Sequence, residues 1–193
     1  GFDLFNYMAL IVCARARDYA EITFHKFADE LEAKDAAGQY AFGAPENEKH
    51  RVTWEGIAVW TYLGATFKGL KNQGAVMTGS AYPGLWSLVY TPGDLESMAE
   101  AYTNVYINTC GPNRYEEFYK VVKNSKSDGI VLHLNRSCKL MGLLNNEGAE
   151  YVNAKLGVPY VSFDGDQTDP RVFTPAQYET RFQALTEMMD ENQ

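Results

Sequence analysis

Residues 133–142 read HLNRSCKLMG, a run of strand-forming residues that meets a run of helix-forming ones with Cys138 at the junction. A thiol at the start of a helix faces unpaired backbone N–H groups and the positive end of the helix dipole, and both favour thiolate. Arg136 and Lys139 add positive charge beside it. Thiolate is the form that attacks carbon or binds a metal, and nothing in the spacing chooses between nucleophile and ligand. The plainer alternative is a small buried hydrophobe, the common fate of a lone cysteine. The polar, cationic surroundings favour a functional thiol over that alternative.

The other two cysteines are less suggestive. Cys13, in MALIVCARA, lies in the apolar part of a helical pattern and is expected in the core. Cys110, in NTCGPNR, lies in a loop before a helix, where it is a ligand or without function, the second reading being favoured. No CxxC or other cluster-type spacing is present, so the residues alone give no case for a metal site. His133 falls inside an apolar strand and is expected to be a core or hydrogen-bonded histidine, whereas His25 and His50 are expected at the surface. No histidine has a nucleophile partner in sequence, so a triad is unsupported. Asp164, Asp166 and Asp169 in SFDGDQTDPR suggest a divalent metal, but the calcium-loop pattern with its closing Glu is incomplete. Asp166 and Asp169 are better read as turn caps or partners of Arg171. GSAYPG has neither phosphate-loop spacing. Trp54, Trp60 and Tyr62 read as core and packing residues, while Tyr82 and Trp86 follow a strand end.

The elements that must position these groups alternate. Residues 3–36 predict one long helix, with Phe5, Met8, Val12, Arg15 and Tyr19, then Phe24, Phe27 and Leu31, at helical spacing. AAGQYAFGAPENE (36–48) reads as a linker. Four strands follow, in HRVTWEG, GAVMTGSAYP, SDGIVLHLN (127–135) and GVPYVSFDGD (157–166). Helices are predicted over 56–73, 94–106, 113–125, 138–157 and from Pro175 onward. Asp94, Asn113 and Thr174 are the candidate N-caps, and Tyr178, Phe182, Leu185 and Met189 mark the inner face of the last helix.

Short apolar strands separated by helices predict an α/β fold. We expect an open parallel four-stranded sheet with helices on both faces, Rossmann-like or flavodoxin-like, preceded by the long helical segment. The division is a helical segment and linker over 1–45 and a Rossmann-like domain over 46–193. Ligands bind such sheets beyond the carboxyl ends of the strands. Those ends are Trp54-Glu55-Gly56, Thr78 to Tyr82, Asn135 to Cys138 and Phe163 to Asp166, four polar clusters on one rim.

With 193 residues the chain can build one sizeable core, and 46% apolar with 22% charged residues is ordinary for a globular protein. A net charge of −8 argues against nucleic acid, which needs a basic footprint. No run of about 18 apolar residues exists to cross a membrane. Three cysteines without a close pair predict no disulfide framework, so a reducing cytoplasm is expected.

Two segments, DGIVLHLNRSCKLMG and LGVPYVSFDGDQTDPRVFTPAQYETRFQALTEMM, resemble the 2-hydroxyacyl-CoA dehydratase family, which also includes benzoyl-CoA reductase subunits. HRVTWEGIAVW and GAVMTGSAYPGLW look like the same family's earlier strands, so the resemblance covers about residues 49–193. It looks most like the α-type subunit of 2-hydroxyglutaryl-CoA dehydratase. The resemblance implies a [4Fe–4S] cluster held by three cysteines, with Cys138 as the one supplied here. The other two would come from an upstream half, and neither Cys13 nor Cys110 falls where they should. The chain is therefore expected to be a C-terminal portion, inactive in isolation.

The resemblance further implies loss of water from a 2-hydroxyacyl-CoA through a ketyl radical. It implies a second subunit in a heterodimer and an ATP-dependent iron–sulfur activator, and it allows a flavin in the partner subunit. Asn135, Arg136, Ser137 and Lys139 are then expected on the cluster rim, with Arg136 or Lys139 stabilising the anion. Glu55, Ser80 and Tyr82 are expected to contact substrate. Two alternatives remain: a non-catalytic module for subunit docking or CoA binding, and a subunit of an aromatic acyl-CoA reductase.

Overall fold

A computed structural model describes residues 7–8, 12–14, 16–86 and 88–192. Its first long element is helix α1 (Asp18–Ala36). The single helix expected over 3–36 is interrupted before it. Ala16 takes φ 60° and Arg17 is extended, so α1 begins afresh at Asp18. Phe5 and Arg15 lie outside the described residues. The expected inner face of α1 is largely uncovered, with Leu31 at 67% exposure. Cys13 is exposed, which corrects the expectation of a core cysteine.

Strands β1 (His50–Glu55), β2 (Ala75–Ser80), β3 (Gly129–Asn135) and β4 (Tyr160–Gly165) form one sheet in the order β2-β1-β3-β4. All three neighbouring pairs are parallel, as the apolar runs separated by helices predict. Helices α2 (Leu63–Asn72), α3 (Leu95–Thr103), α4 (Gly111–Asn124), α5 (Lys139–Gly142), α6 (Asn145–Leu156) and α7 (Pro175–Glu191) complete the chain. One face of the sheet presents Val52, Trp54, Met77, Val131 and Phe163 to α2 and α7. The other presents Ile130 and Leu132 to Phe118 and Val122 of α4 and to Ala149 and Val152 of α6.

Helix α7 buries Tyr178, Phe182, Leu185 and Met189, the face its sequence predicts. Each such side chain contributes about 1.5–3 kcal/mol when fully removed from water. Phe163 and Tyr178 pack on Trp54 and on each other, 4.9 Å apart in an edge-on arrangement, and Phe173 packs on both of them. His50, expected at the surface, is 2% exposed at the start of β1, with its Nε2 3.3 Å from Asp190 of α7. The last turn of α7 covers it, a contact between residues at opposite ends of the domain.

The predicted helices are found in place, but with different extents and with one of them divided in two. Asp94 caps α3 as expected, its carboxylate accepting from the Glu96 and Ser97 backbone N–H groups. Asn113 is not a cap, because α4 already starts at Gly111. Thr174 stands at the N-cap position of α7, without a side-chain capping bond. The helix expected over 56–73 starts only at Leu63, after a buried stretch Gly56–Val59 and a short 3₁₀ turn Trp60–Tyr62. Gly56 has φ 101°, and a Cβ there would lie 2.5 Å from the His133 carbonyl oxygen. That close approach sets the path of the chain. The helix expected over 138–157 breaks in two around Leu143 and Leu144, giving the four-residue α5 and the longer α6.

Candidate functional site

From β1 the chain steps outward to β2, then returns across β1 to β3. The carboxyl ends of β1 and β3 therefore flank the point where the winding reverses, which is where such sheets open a crevice. Glu55 and Gly56 end one strand, and Asn135 to Cys138 follow the other.

The turn after β3 is fastened to the loop after β4. The Arg136 N–H donates to the Gly165 carbonyl at 3.0 Å, and the Ser137 N–H to Asp166 Oδ2 at 3.0 Å. Asn135 Oδ1 accepts from the Ser137 hydroxyl at 3.3 Å and the Gln167 N–H at 3.1 Å. Asp166 also accepts from the Thr168 and Asp169 N–H groups at 2.9 and 3.0 Å. The N–H groups of Thr168 and Asp169, then the bond from Ser137, hold its carboxyl well below the usual carboxylate range. Asp169 pairs with Arg171 at 2.7 Å. The acidic block is thus a set of loop fasteners, as its spacing suggested. Below it, His133 is buried, stacked on Phe163, with Nδ1 against the Ile57 carbonyl. Burial pushes its pKa down.

A second polar cluster lies beneath the crevice. Glu55 is 0% exposed and accepts from the Tyr106 hydroxyl at 2.8 Å, with Arg114 Nη2 at 3.9 Å from the same oxygen. Burial raises its pKa to about 7, against the pull of Tyr106, Arg114 and the Gly56 backbone. Arg114, 3% exposed on α4, stacks 4.7 Å from the Tyr106 ring centre. Its guanidinium donates to the carbonyls of Leu140 (2.6 Å) and Met141 (3.1 Å) and to Asn145 Oδ1 (3.0 Å). The Tyr106 hydroxyl is pushed up, by burial and then by Glu55.

Cys138 is half-buried at the N-cap of α5, partly packed on the main core. A four-residue helix has little macrodipole, so the field argued from a long helix loses most of its force here. Tyr82 is close enough that its hydroxyl is pushed up by burial and then by the Cys138 sulfur. Among the described residues no three His, Cys, Asp or Glu side chains gather as a metal site. Cys138 is one soft donor at the crevice, while Cys110 and Cys13 are exposed elsewhere. The donor set fits one corner of an iron–sulfur cluster and cannot hold a whole one.

A family model described as 2-hydroxyglutaryl-CoA dehydratase, D-component, matches residues 1–189. The chain belongs to this family. The match includes the N-terminal helical part, beyond the residues that carried the resemblance. Lactoyl-CoA dehydratase subunit alpha of Anaerotignum propionicum is 61% identical over 100% of this chain and 46% of its own length. The (R)-2-hydroxyisocaproyl-CoA dehydratase alpha subunit of Clostridioides difficile is 44% identical over 99% of this chain and 46% of its own. The (R)-2-hydroxyglutaryl-CoA dehydratase subunit alpha of Acidaminococcus fermentans is 38% identical over 100% and 39%. The chain spans about half the length, or less, of these relatives.

Within this family frame, the structure brings Asn135, Ser137 and Cys138 together in one turn, with Asn135 buried and Ser137 exposed. Arg136 and Lys139 are exposed on the same turn, and Arg136 meets Asp164 at 3.4 Å. Tyr82 is buried near Cys138. Ser80 is half-buried and lines, with Tyr106, a cavity of about 500 Å³ beside α3 and α4. Glu55 lies below the rim, enclosed by Tyr106 and Arg114, so its first contacts are with those residues. Sequence reasoning missed Arg114 and Tyr106. Arg114 sits on the inner face of α4 one turn before Phe118, and a charged residue at a core position was the signal available.

Proposed function

We propose that the chain is part of an α-type subunit of a 2-hydroxyacyl-CoA dehydratase, which removes water from a 2-hydroxyacyl-CoA to give the enoyl-CoA. The observation that carries this is family membership across residues 1–189 together with a half-buried cysteine at the strand-order reversal. The notional partners are a second subunit, an ATP-dependent activator and the acyl-CoA itself. The sequence motifs suggested the 2-hydroxyglutaryl type. The 61% identity to a lactoyl-CoA dehydratase subunit, against 38% to a hydroxyglutaryl-CoA one, supports a shorter, uncharged acyl chain.

The β-proton of a saturated thioester is too weakly acidic for an ordinary base. In the proposed reaction one electron enters the thioester carbonyl to give a ketyl radical anion. Hydroxide then leaves from C2, the β-proton becomes acidic and departs, and the electron is returned, so the net change is loss of one water. A [4Fe–4S] cluster, when bound, supplies the electron relay and a Lewis-acidic iron at the carbonyl. Cys138 would provide one of its thiolate ligands, and the remaining ligands lie outside this chain's donor set.

The rest falls to the protein. Asn135 and Ser137 hold the turn in place. Arg136 or Lys139 brings positive charge to the developing oxyanion, where a preorganised cation lowers the barrier. The test is Cys138→Ala in the full-length subunit, purified anaerobically with its partner and assayed with lactoyl-CoA and 2-hydroxyglutaryl-CoA. Bound iron and sulfide are expected to fall and dehydration to disappear with either substrate. Unchanged iron content would refute the assignment.

A further inference from the structure

The turn that carries Cys138 is gripped from both sides. On the N-terminal side, Asp166 takes the Ser137 N–H and Gly165 takes the Arg136 N–H. On the C-terminal side, the carbonyls of Leu140 and Met141 belong to a helix of only four residues. Such carbonyls have no partner within their own helix and must find one elsewhere. The Arg114 guanidinium, from an element 26 residues away in sequence, supplies it for both. The same fork reaches Asn145 Oδ1 at the start of α6, so it also spans the break between α5 and α6. Met141 is buried, but Leu140 and Leu143 are 62% and 72% exposed, so apolar packing alone anchors this turn weakly.

The Glu55 carboxyl faces the buried guanidinium at 3.9 Å, with Tyr106 stacked on the guanidinium plane. Glu55 ends β1, so the chain Glu55–Arg114–Leu140/Met141 joins the β1 side of the crevice to the turn after β3.

We propose that Arg114 is a positioning residue. By clamping the Leu140 and Met141 carbonyls it fixes the turn that presents Cys138 to the crevice. The inference rests on reading Cys138 as a metal ligand, but its test does not require a cluster.

The test measures cysteine alkylation in the full-length subunit after iron is removed by chelation. Iodoacetamide labelling is followed by peptide mass spectrometry, so Cys138, Cys13 and Cys110 are each timed separately. Arg114→Met should speed labelling of Cys138 roughly tenfold or more, because charge-assisted hydrogen bonds to a buried arginine are lost and the turn opens more often. Cys13 and Cys110, already exposed, should be unchanged. Arg114→Lys keeps the charge but lacks the planar fork, so its rate should fall between the two.

The double variant Arg114→Met/Glu55→Gln also removes the carboxyl that faces the guanidinium, so that carboxyl is not left without its partner, and it should fold even where the single variant does not. Fast labelling of Cys138 in the double variant supports the clamp. A return to the wild-type rate would overturn it, since the effect would then come from the carboxyl left without its partner. A parallel rise at all three cysteines would overturn it too, by showing general loosening. If the iron assay with Cys138→Ala fails while the clamp persists, the turn is rigid for another purpose.

Discussion

Glu55 should make this domain less stable as pH rises through neutrality, and Glu55→Gln should remove that dependence. The carboxyl is fully enclosed, and burial lifts its pKa from 4.5 to about 7. Between those values the folded chain keeps a proton that the unfolded chain has released. Stability therefore falls with rising pH across that window and is flat above it. The gap, at about 1.4 kcal/mol per pH unit, amounts to roughly 3 kcal/mol. Glutamine is neutral at every pH, has nearly the same shape and can still accept from the Tyr106 hydroxyl. The variant and wild type should thus have similar urea midpoints near pH 5 and diverge to about 3 kcal/mol in favour of glutamine by roughly pH 8. Other titrating groups, Asp166 and His133 included, are common to both proteins and cancel in the difference. A difference that stays constant with pH, or that grows in favour of wild type, would refute a largely desolvated Glu55.

Gly56→Ala places a Cβ 2.5 Å from the His133 carbonyl at a backbone φ of 101°. A loss of about 2–4 kcal/mol in urea denaturation is expected, and a loss below about 1 kcal/mol would mean the crevice backbone relaxes freely. Asp166 is held below its ordinary pKa of 3.8, so its contribution is present above that value and disappears as pH falls. Asp166→Ala at neutral pH should therefore speed amide hydrogen exchange at Ser137, Thr168 and Asp169 while leaving β1 amides unchanged.

The parallel sheet was legible because its strands are apolar runs bounded by turn residues, and the inner face of α7 because four large side chains recur at helical spacing. What was not legible depends on contacts between distant segments. Nothing local in CKLMG says that the helix after Cys138 stops after four residues. The stop involves carbonyls that Arg114 takes from another helix. Gly56 reads like an ordinary residue at the head of a helix, and only the nearby His133 carbonyl and the positive φ show why a residue without a Cβ stands there. His50 reads as polar surface until the end of α7 is laid over it. Cys138 itself was found from its position between a strand and a helix, although the dipole argument that first drew attention to it weakens once α5 proves to be so short.

The crevice divides its labour between fixed and mobile groups. The backbone of the Cys138 turn is held through four bonds, to Asp166 and the Gly165 carbonyl and through the two carbonyls taken by Arg114. The cations on that turn are held loosely. Arg136 and Asp164 are 63% and 60% exposed, and an ion pair of that kind is worth about 0–1 kcal/mol. Arg136 can therefore leave Asp164 for a substrate oxyanion at little cost, whereas Cys138 cannot drift without breaking hydrogen bonds that are part-buried or buried. A metal ligand needs to be held firmly, whereas an oxyanion partner needs freedom to move onto its target. If the roles were reversed, with Cys138 as a free nucleophile and Arg136 as a structural cation, the firmly held group would be the arginine. The geometry runs the other way, which is why a ligand role for Cys138 fits this turn better than a nucleophilic one.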